Sequence, residues 1–263
     1  MPLCSLHLLS LTCSPQQYLK QLSTNKNIVL ASQPRNPPVI RVGNDGERIN
    51  ATQWHLLVIL AGKNKPLRDD TSLGDSIKVE LILSTGIPTK LIEAYRDRRS
   101  NLITDIGPPL AFNIVACSGS TSSSQTITPS PDSQNLELSN GLIDFAHRLQ
   151  GETASKGPVW MLNLLKFKEG HKENYINYGK AFAKVAQRFG GQVVLVGSVS
   201  DSHWDEFALA HYPSISHFVD MSADGSPGGY QEINRRWRLG SLEDTGIICT
   251  TPLDVPPDGR AKM

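Results

Sequence analysis

The alternation of apolar and polar positions is clearest in the second half of the chain. Residues 158–167 (PVWMLNLLKF) are apolar on both alternating faces, which predicts a strand covered on both sides. Tyr175, Tyr178, Phe182, Val185 and Phe189 then fall on one helical stripe, and Gly190-Gly191 ends the helix they predict. Residues 192–199 and 204–212 are β-rich runs separated by Ser200-Asp201-Ser202-His203, a hairpin-like pair that Pro213-Ser214 stops. After a Gly-, Ser- and Pro-rich interruption at 223–229, Tyr230, Ile233 and Trp237 mark a second helix, and 247–251 supply a last short strand before a Pro-rich tail. A short amphipathic helix carrying Leu142, Phe145, Ala146 and Leu149 leads into the series. The order is βαββαβ, the ferredoxin-like unit.

The first half follows the same order less tidily. Residues 3–11 predict a strand, Ser14-Pro15 opens a helix with Gln17 in the capping-box position, and strands are expected at 39–42 and 54–61. An insertion at 63–76 and an extra strand-like run at 77–83 precede a helix around 89–99, and 112–117 is expected to close the unit. Residues 118–134 are rich in Ser, Thr and Pro, as in a flexible linker. The expected domains are a divergent ferredoxin-like unit at 1–117, a linker at 118–139 and a second ferredoxin-like unit at 140–263.

The two halves repeat one another. Residues 2–11 recur 156 positions later as 158–167, and 54–60 recur 150 positions later as 204–210. A third match, at an offset of 139, pairs Glu93, Arg96 and Arg99 with Glu232, Arg235 and Arg238. Two long copies make a duplicated domain, not a solenoid.

Composition narrows the partners. With 26 basic and 25 acidic residues in 263, the net charge of +1 gives no broad attraction for nucleic acid or anionic lipid. The clusters Arg96/Arg98/Arg99 and Arg235/Arg236/Arg238 read as solvated helix faces. No run approaches 18 uninterrupted apolar residues, so no membrane span is expected. The apolar start lacks a basic leader and recurs in mid-chain, so it reads as a first strand and not a signal sequence. The four cysteines have no CxxC spacing and read as small core residues in a reducing compartment, with a cytoplasmic location expected.

At Gly157-Pro158-Val159-Trp160-Met161-Leu162-Asn163-Leu164-Leu165-Lys166-Phe167 the second half resembles a family of small, uncharacterised proteins in the dimeric α/β-barrel superfamily. Tyr178-Gly179, Gly190-Gly191, Trp204-Asp205, Tyr212-Pro213-Ser214 and Leu242-Glu243-Asp244-Thr245 extend the likeness over residues 140–252. The resemblance implies an α+β fold in which two ferredoxin-like units set their sheets face to face. The duplication places both units in one chain, a pseudo-dimeric barrel that needs no partner chain to close, though a further dimer is open. The first half departs from the pattern with His7 at the position of Asn163, His55 at that of Asp205, and no clear Tyr-Pro-Ser. The superfamily includes cofactor-independent monooxygenases, polyketide cyclases, lactone isomerases, decarboxylases and haem enzymes, so the fold alone does not choose a function. The resemblance further implies a pocket between sheet and helices, lined by apolar and aromatic residues.

Several residues are candidates for chemistry. His7 and Asn163 interrupt apolar first strands at matching positions, where a histidine can move a proton and an asparagine amide can hold a developing oxyanion. Each can equally be a hydrogen-bonded core residue. Tyr178 lies on the apolar stripe of its helix, with Phe182 one turn on, and its hydroxyl is expected to face the same sheet. His211 shares a strand face with Phe207 and Leu209, while Glu206 alternates with Ala208 to the other side; one of these faces should line the pocket. Trp204 and His55 complete the expected binding residues, Trp204 with a packing role as the alternative.

His203 and His211 lie about 26 Å apart along an extended strand and cannot share an ion, so no metal site is expected. Nucleotide-binding glycine loops and serine-hydrolase elbows are absent from the sequence, and no cofactor is expected. One helical histidine suffices for haem, and His147 and His217 are the two that can serve. The expected function is a cofactor-independent enzyme of polyketide-like secondary metabolism that moves a proton on a small apolar carbonyl compound, in cyclisation, dehydration or isomerisation. A non-catalytic binding or scaffold protein and a cofactor-free monooxygenase are the alternatives.

Overall fold

The computed structural model describes residues 2–40, 43, 47–62, 65–98, 102, 137–151 and 157–255. In the first half, β1 (Leu3–Leu11) runs into α1 (Pro15–Asn25), whose start is fixed by the Ser14 hydroxyl accepting the Gln17 N–H at 3.2 Å. β2 (Ile28–Pro34), the short helix α2 (Glu47–Ala51), β3 (Leu56–Ala61), β4 (Ile77–Gly86) and α3 (Thr89–Arg98) follow. The second half comprises α4 (Asn140–Gly151), β5 (Val159–Phe167), α5 (Lys172–Arg188), β6 (Gln192–Ser200), β7 (Glu206–Tyr212), α6 (Ile215–Ala223), α7 (Tyr230–Ile233) and β8 (Leu242–Pro252). Gly190, with φ of +69°, closes the end of α5 in the left-handed conformation that favours glycine.

All pairings between neighbouring strands are antiparallel, and the order β1-β3-β2-β8-β5-β7-β6-β4 returns to β1, so the eight-stranded sheet closes on itself. The strands of the first half lie in the order β4-β1-β3-β2 and those of the second in the order β8-β5-β7-β6. Two short seams join them. Ser32, Gln33 and Pro34 pair with Pro252, Thr251 and Thr250, and Ser84, Thr85 and Gly86 pair with Ser200, Val199 and Ser198. Register follows the sequence offsets: His7 lies opposite Val58 as Asn163 lies opposite Ala208, and Leu9 opposite Leu56 as Leu165 opposite Glu206.

Alternation along each strand sorts the side chains into two environments. Leu6, Leu8, Trp160, Leu162, Leu164, Phe207 and Leu209 share one core drawn from both halves, inside the closed sheet. On the outer face of the first half, Leu9, Leu56, Val58 and Leu60 meet Tyr18, Leu19 and Leu22 of α1. On the outer face of the second, Met161, Ala210 and Cys249 meet Phe182 and Val185 of α5 and Phe218 of α6.

The structure corrects the sequence reading at five places, the simplest being the last strand, which is Leu242–Pro252 and not 247–251. The second strand is Ile28–Pro34; of the run expected at 39–42, residues 41 and 42 lie outside the described residues, Pro37 and Pro38 before it have no N–H to give a ladder, and Ile40 makes an isolated bridge to Ile247. The run at 77–83 is not extra but is the fourth strand, paired to β1 along its length. Two 3-10 turns, Leu67–Asp69 and Gly74–Ser76, precede it where the second half has α6 and α7, and α3 comes after it. The offset-139 match therefore joins a helix that follows the fourth strand to one that precedes it. Finally, α6 escaped the periodicity reading because Ile215 to Ser222 are all buried, leaving no polar stripe. The expected strand at 112–117, the linker at 118–134 and Cys117 lie outside the described residues.

Candidate functional site

The second half carries a cavity of about 160 Å³ between its sheet and its helices. Asn163 of β5, Glu206, Ala208 and Ala210 of β7 and Val196 of β6 form the floor, and Tyr175, Tyr178 and Phe182 of α5 form the facing wall. The aromatic wall is continuous, with ring centroids 5.3 Å apart for Tyr175–Tyr178 and 5.5 Å for Tyr178–Phe182, and Tyr230 of α7 set edge-on 6.4 Å beyond. Ile176 and Val193, 41% and 42% exposed, also line the cavity and give it an apolar mouth between α5 and β6.

The space exists because of residue size. The first-half counterparts of Ala208, Ala210 and Glu206 at the 150-residue offset are Val58, Leu60 and Leu56, all buried against α1. Leu67 and Leu73, from the segment between β3 and β4, add to that cluster. Among the described residues, larger side chains thus pack against α1 where the second half has small ones.

Burial and neighbouring charges set the protonation states. Burial raises the Tyr178, Tyr212 and Tyr230 hydroxyls above the ordinary phenol range. Tyr175 is raised by burial against the opposing influence of Arg238. All four stay protonated at neutral pH and can donate. Burial also pushes the Glu206 carboxyl upward, with Lys172 lowering it and Asp205 raising it; Lys172 Nζ stands 3.9 Å from Glu206 Oε2.

Of the expected residues, Asn163, Tyr178, Phe182 and Glu206 converge on this cavity. The Asn163 amide group donates to the carbonyls of Met161 at 3.0 Å and Ala208 at 3.4 Å, so its donors are engaged by the main chain and not held for an oxyanion. His7 lies on the corresponding outer face of the first half, fully buried. Its Nδ1 is hydrogen-bonded to Glu80 Oε1 at 2.7 Å, and its Nε2 to the Ser5 hydroxyl at 2.8 Å. Glu80 also accepts the N–H groups of Leu67 at 2.9 Å and Arg68 at 3.1 Å. Burial alone would raise the Glu80 carboxyl, but these hydrogen bonds outweigh it and hold the group below the usual range. His7 is therefore a satisfied core histidine that ties the 3-10 segment to the sheet.

His211 and Trp204 lie in neither wall. His211 shares the face of Phe207 and Leu209, opposite Trp160, and burial pushes its imidazole down to about 4. Trp204 packs in the inner core, with His203 edge-on at 4.9 Å. His55 accepts the Leu11 N–H through Nδ1 at 3.0 Å and lines a separate polar cleft of about 380 Å³ with Arg35, Asn36 and Arg148. Its imidazole is lowered by burial and then by Lys78. His147 is exposed on α4, and His217 is bonded to the Ser214 hydroxyl at 2.8 Å; neither lines the cavity. Among the described residues, no group of three or more His, Cys, Asp or Glu is placed to hold a metal ion, and no helix is long and apolar enough to cross a membrane.

Sequence reasoning missed Arg238, which it assigned to a solvated face. Arg235 and Arg236 are exposed, but Arg238 is 1% exposed and lines the cavity. Tyr230, Asn234 and Arg238 form a buried stripe at intervals of four, a signal that Trp237 obscured. Here α7 continues as a π-helical turn, Asn234–Arg238, in which the Leu239 N–H bonds the Asn234 carbonyl at 3.1 Å. Such turns recur at functional sites.

No protein-family model and no curated protein matches the chain. A crystal structure of a protein of unknown function from Rhodopseudomonas palustris is similar, with 27% identity over 49% of this chain and 97% of that one and a TM-score of 0.35. At that score the likeness carries no argument about function.

Proposed function

We propose that this chain is a cofactor-independent enzyme that moves a proton on a small, largely apolar carbonyl compound bound in the second-half cavity. The observation that carries the reading is a carboxylate with a raised pKa, Glu206, lining the same cavity as buried, protonated phenols. A carboxylate displaced toward neutrality is a better base for a carbon acid. Glu206 would take a proton from the carbon beside the carbonyl, and the Tyr178 and Tyr230 hydroxyls would donate to the oxygen as charge develops there. Returning the proton elsewhere completes an isomerisation; attack of the enolate carbon on a second carbonyl completes a cyclisation.

The same reading takes the chain as two ferredoxin-like units closing one pseudo-dimeric barrel. The matching strand order and the register shared across both halves support it. The first unit is then a filled partner and the second the working one.

The test is solvent exchange. Phenylacetone in D2O, followed by proton NMR, should lose its benzylic protons faster with the protein present, and Glu206→Gln should lower the enzymatic rate about a hundredfold or more. A probe that binds without exchange would favour a non-catalytic binding or scaffold protein instead.

A further inference from the structure

We propose that the second-half cavity takes a small carboxylic acid of about one ring in size, with its carboxylate held by Arg238; this rests on reading the cavity as a small-molecule site. A guanidinium remains charged in any protein environment, and this one is almost wholly buried. Its Nη2 donates to Thr245 Oγ1 at 3.2 Å, and that hydroxyl donates onward to the Leu164 carbonyl at 3.0 Å. The Tyr175 hydroxyl stands beside the guanidinium, while Nη1 meets no acceptor. A buried cation without a counter-charge is costly, so the free Nη1 marks a place for an anion.

The neighbouring carboxylates are engaged elsewhere. Glu206 faces Lys172, Glu137 binds Arg235 at 2.9 Å, and Asp244 accepts the N–H groups of Gly43 and Thr245 and faces His203 at 3.4 Å. Among the described residues none forms an ion pair with Arg238. The Asn163 amide hydrogens bond the main chain and Glu206 faces Lys172, so Arg238 Nη1 is left as a charged donor of the lining that asks for an acceptor. The walls and the mouth at Ile176 and Val193 are apolar and suit a hydrocarbon body. A volume of about 160 Å³ matches a single ring, since an engineered apolar cavity of about 150 Å³ admits benzene. Among the described residues that line the cavity Arg238 is the one cation, which favours a monocarboxylate, gripped through two parallel N–H bonds, over a phosphate or diacid.

Calorimetric titration of the full chain with phenylacetate and its neutral isostere phenylacetamide tests the assignment. Phenylacetate should bind at least tenfold more tightly, Arg238→Met should erase that preference, and Arg235→Met, at an exposed guanidinium, should keep it. Equal affinity of the wild type for the two probes would remove the carboxylate assignment while leaving the cavity as a binding site. No binding of phenylacetate, phenylacetamide or phenylacetone would remove both readings. If Arg238→Met fails to fold, the wild-type ratio of the two probes decides, with Arg235→Met as the control for general charge.

Discussion

Replacing Glu80 by glutamine should damage the stability of the first half and leave the second-half pocket intact. The wild-type carboxylate accepts three hydrogen bonds in a buried setting, from His7 Nδ1 and from the Leu67 and Arg68 N–H groups. An amide of the same shape has one accepting oxygen, so its NH2 must face a donor and at least one N–H, buried or part-buried, loses its partner. With a charged hydrogen bond worth roughly 1.5–3 kcal/mol and an orphaned donor costing about 1–3 kcal/mol, the expected loss is about 2–4 kcal/mol. In a chain of this size that corresponds to a fall in Tm of roughly 5–15 °C. The pH dependence follows from the sign of the shift. Glu80 is held below the ordinary glutamate value of 4.5, so its contribution is fully present above that value and is lost as pH falls through the folded-state pKa. Urea denaturation of both proteins across pH 7 to 3 should therefore show a deficit that narrows in acid. A loss below about 0.5 kcal/mol at neutral pH, or a deficit unchanged by acidification, would refute the account of this network.

Two further outcomes are expected. Glu206→Gln should melt higher than the wild type at neutral pH: burial raises the carboxyl in the folded state, so ionisation there opposes folding above the ordinary value of 4.5, and the advantage should vanish below it in pH-resolved thermal melts. Residues 137–255 expressed alone should self-associate, because Trp160, Leu162, Phe207 and Leu209 would lose the opposite sheet face; light scattering that finds a stable monomer would contradict the shared inner core.

Much of the second half was legible because its elements are amphipathic or covered on both faces at recognisable periods. The stripe of α5 puts Tyr178 and Phe182, and the apolar strand puts Asn163, on faces that line the cavity. Periodicity could not choose between the faces of β7, since both are buried; only closure of the sheet turns His211 inward and Glu206 to the cavity. Arg238 escaped because it stands in a run of arginines that reads as a solvated face, and two of them, Arg235 and Arg236, are indeed exposed. His7 and Asn163 hold matching positions with unlike surroundings: the bulk of Val58 and Leu60 packs against α1 where Ala208 and Ala210 leave space beneath α5, and that comparison needs the register. In the first half, Glu80 is the missing partner of His7, distant in sequence and visible only once β4 is paired to β1.

Among the described strands, closure leaves no edge free while both seams are shut, which guards against edge-to-edge aggregation. Each seam, however, is held by only three residue pairs. Opening both would free the edges of β2, β4, β6 and β8 together, and each edge would find its natural complement on another copy as readily as on its own chain. Two opened molecules could then exchange halves, rebuilding two barrels from the same pairings. The geometry that removes ordinary aggregation thus leaves domain swapping as the route to assembly that requires no new surface.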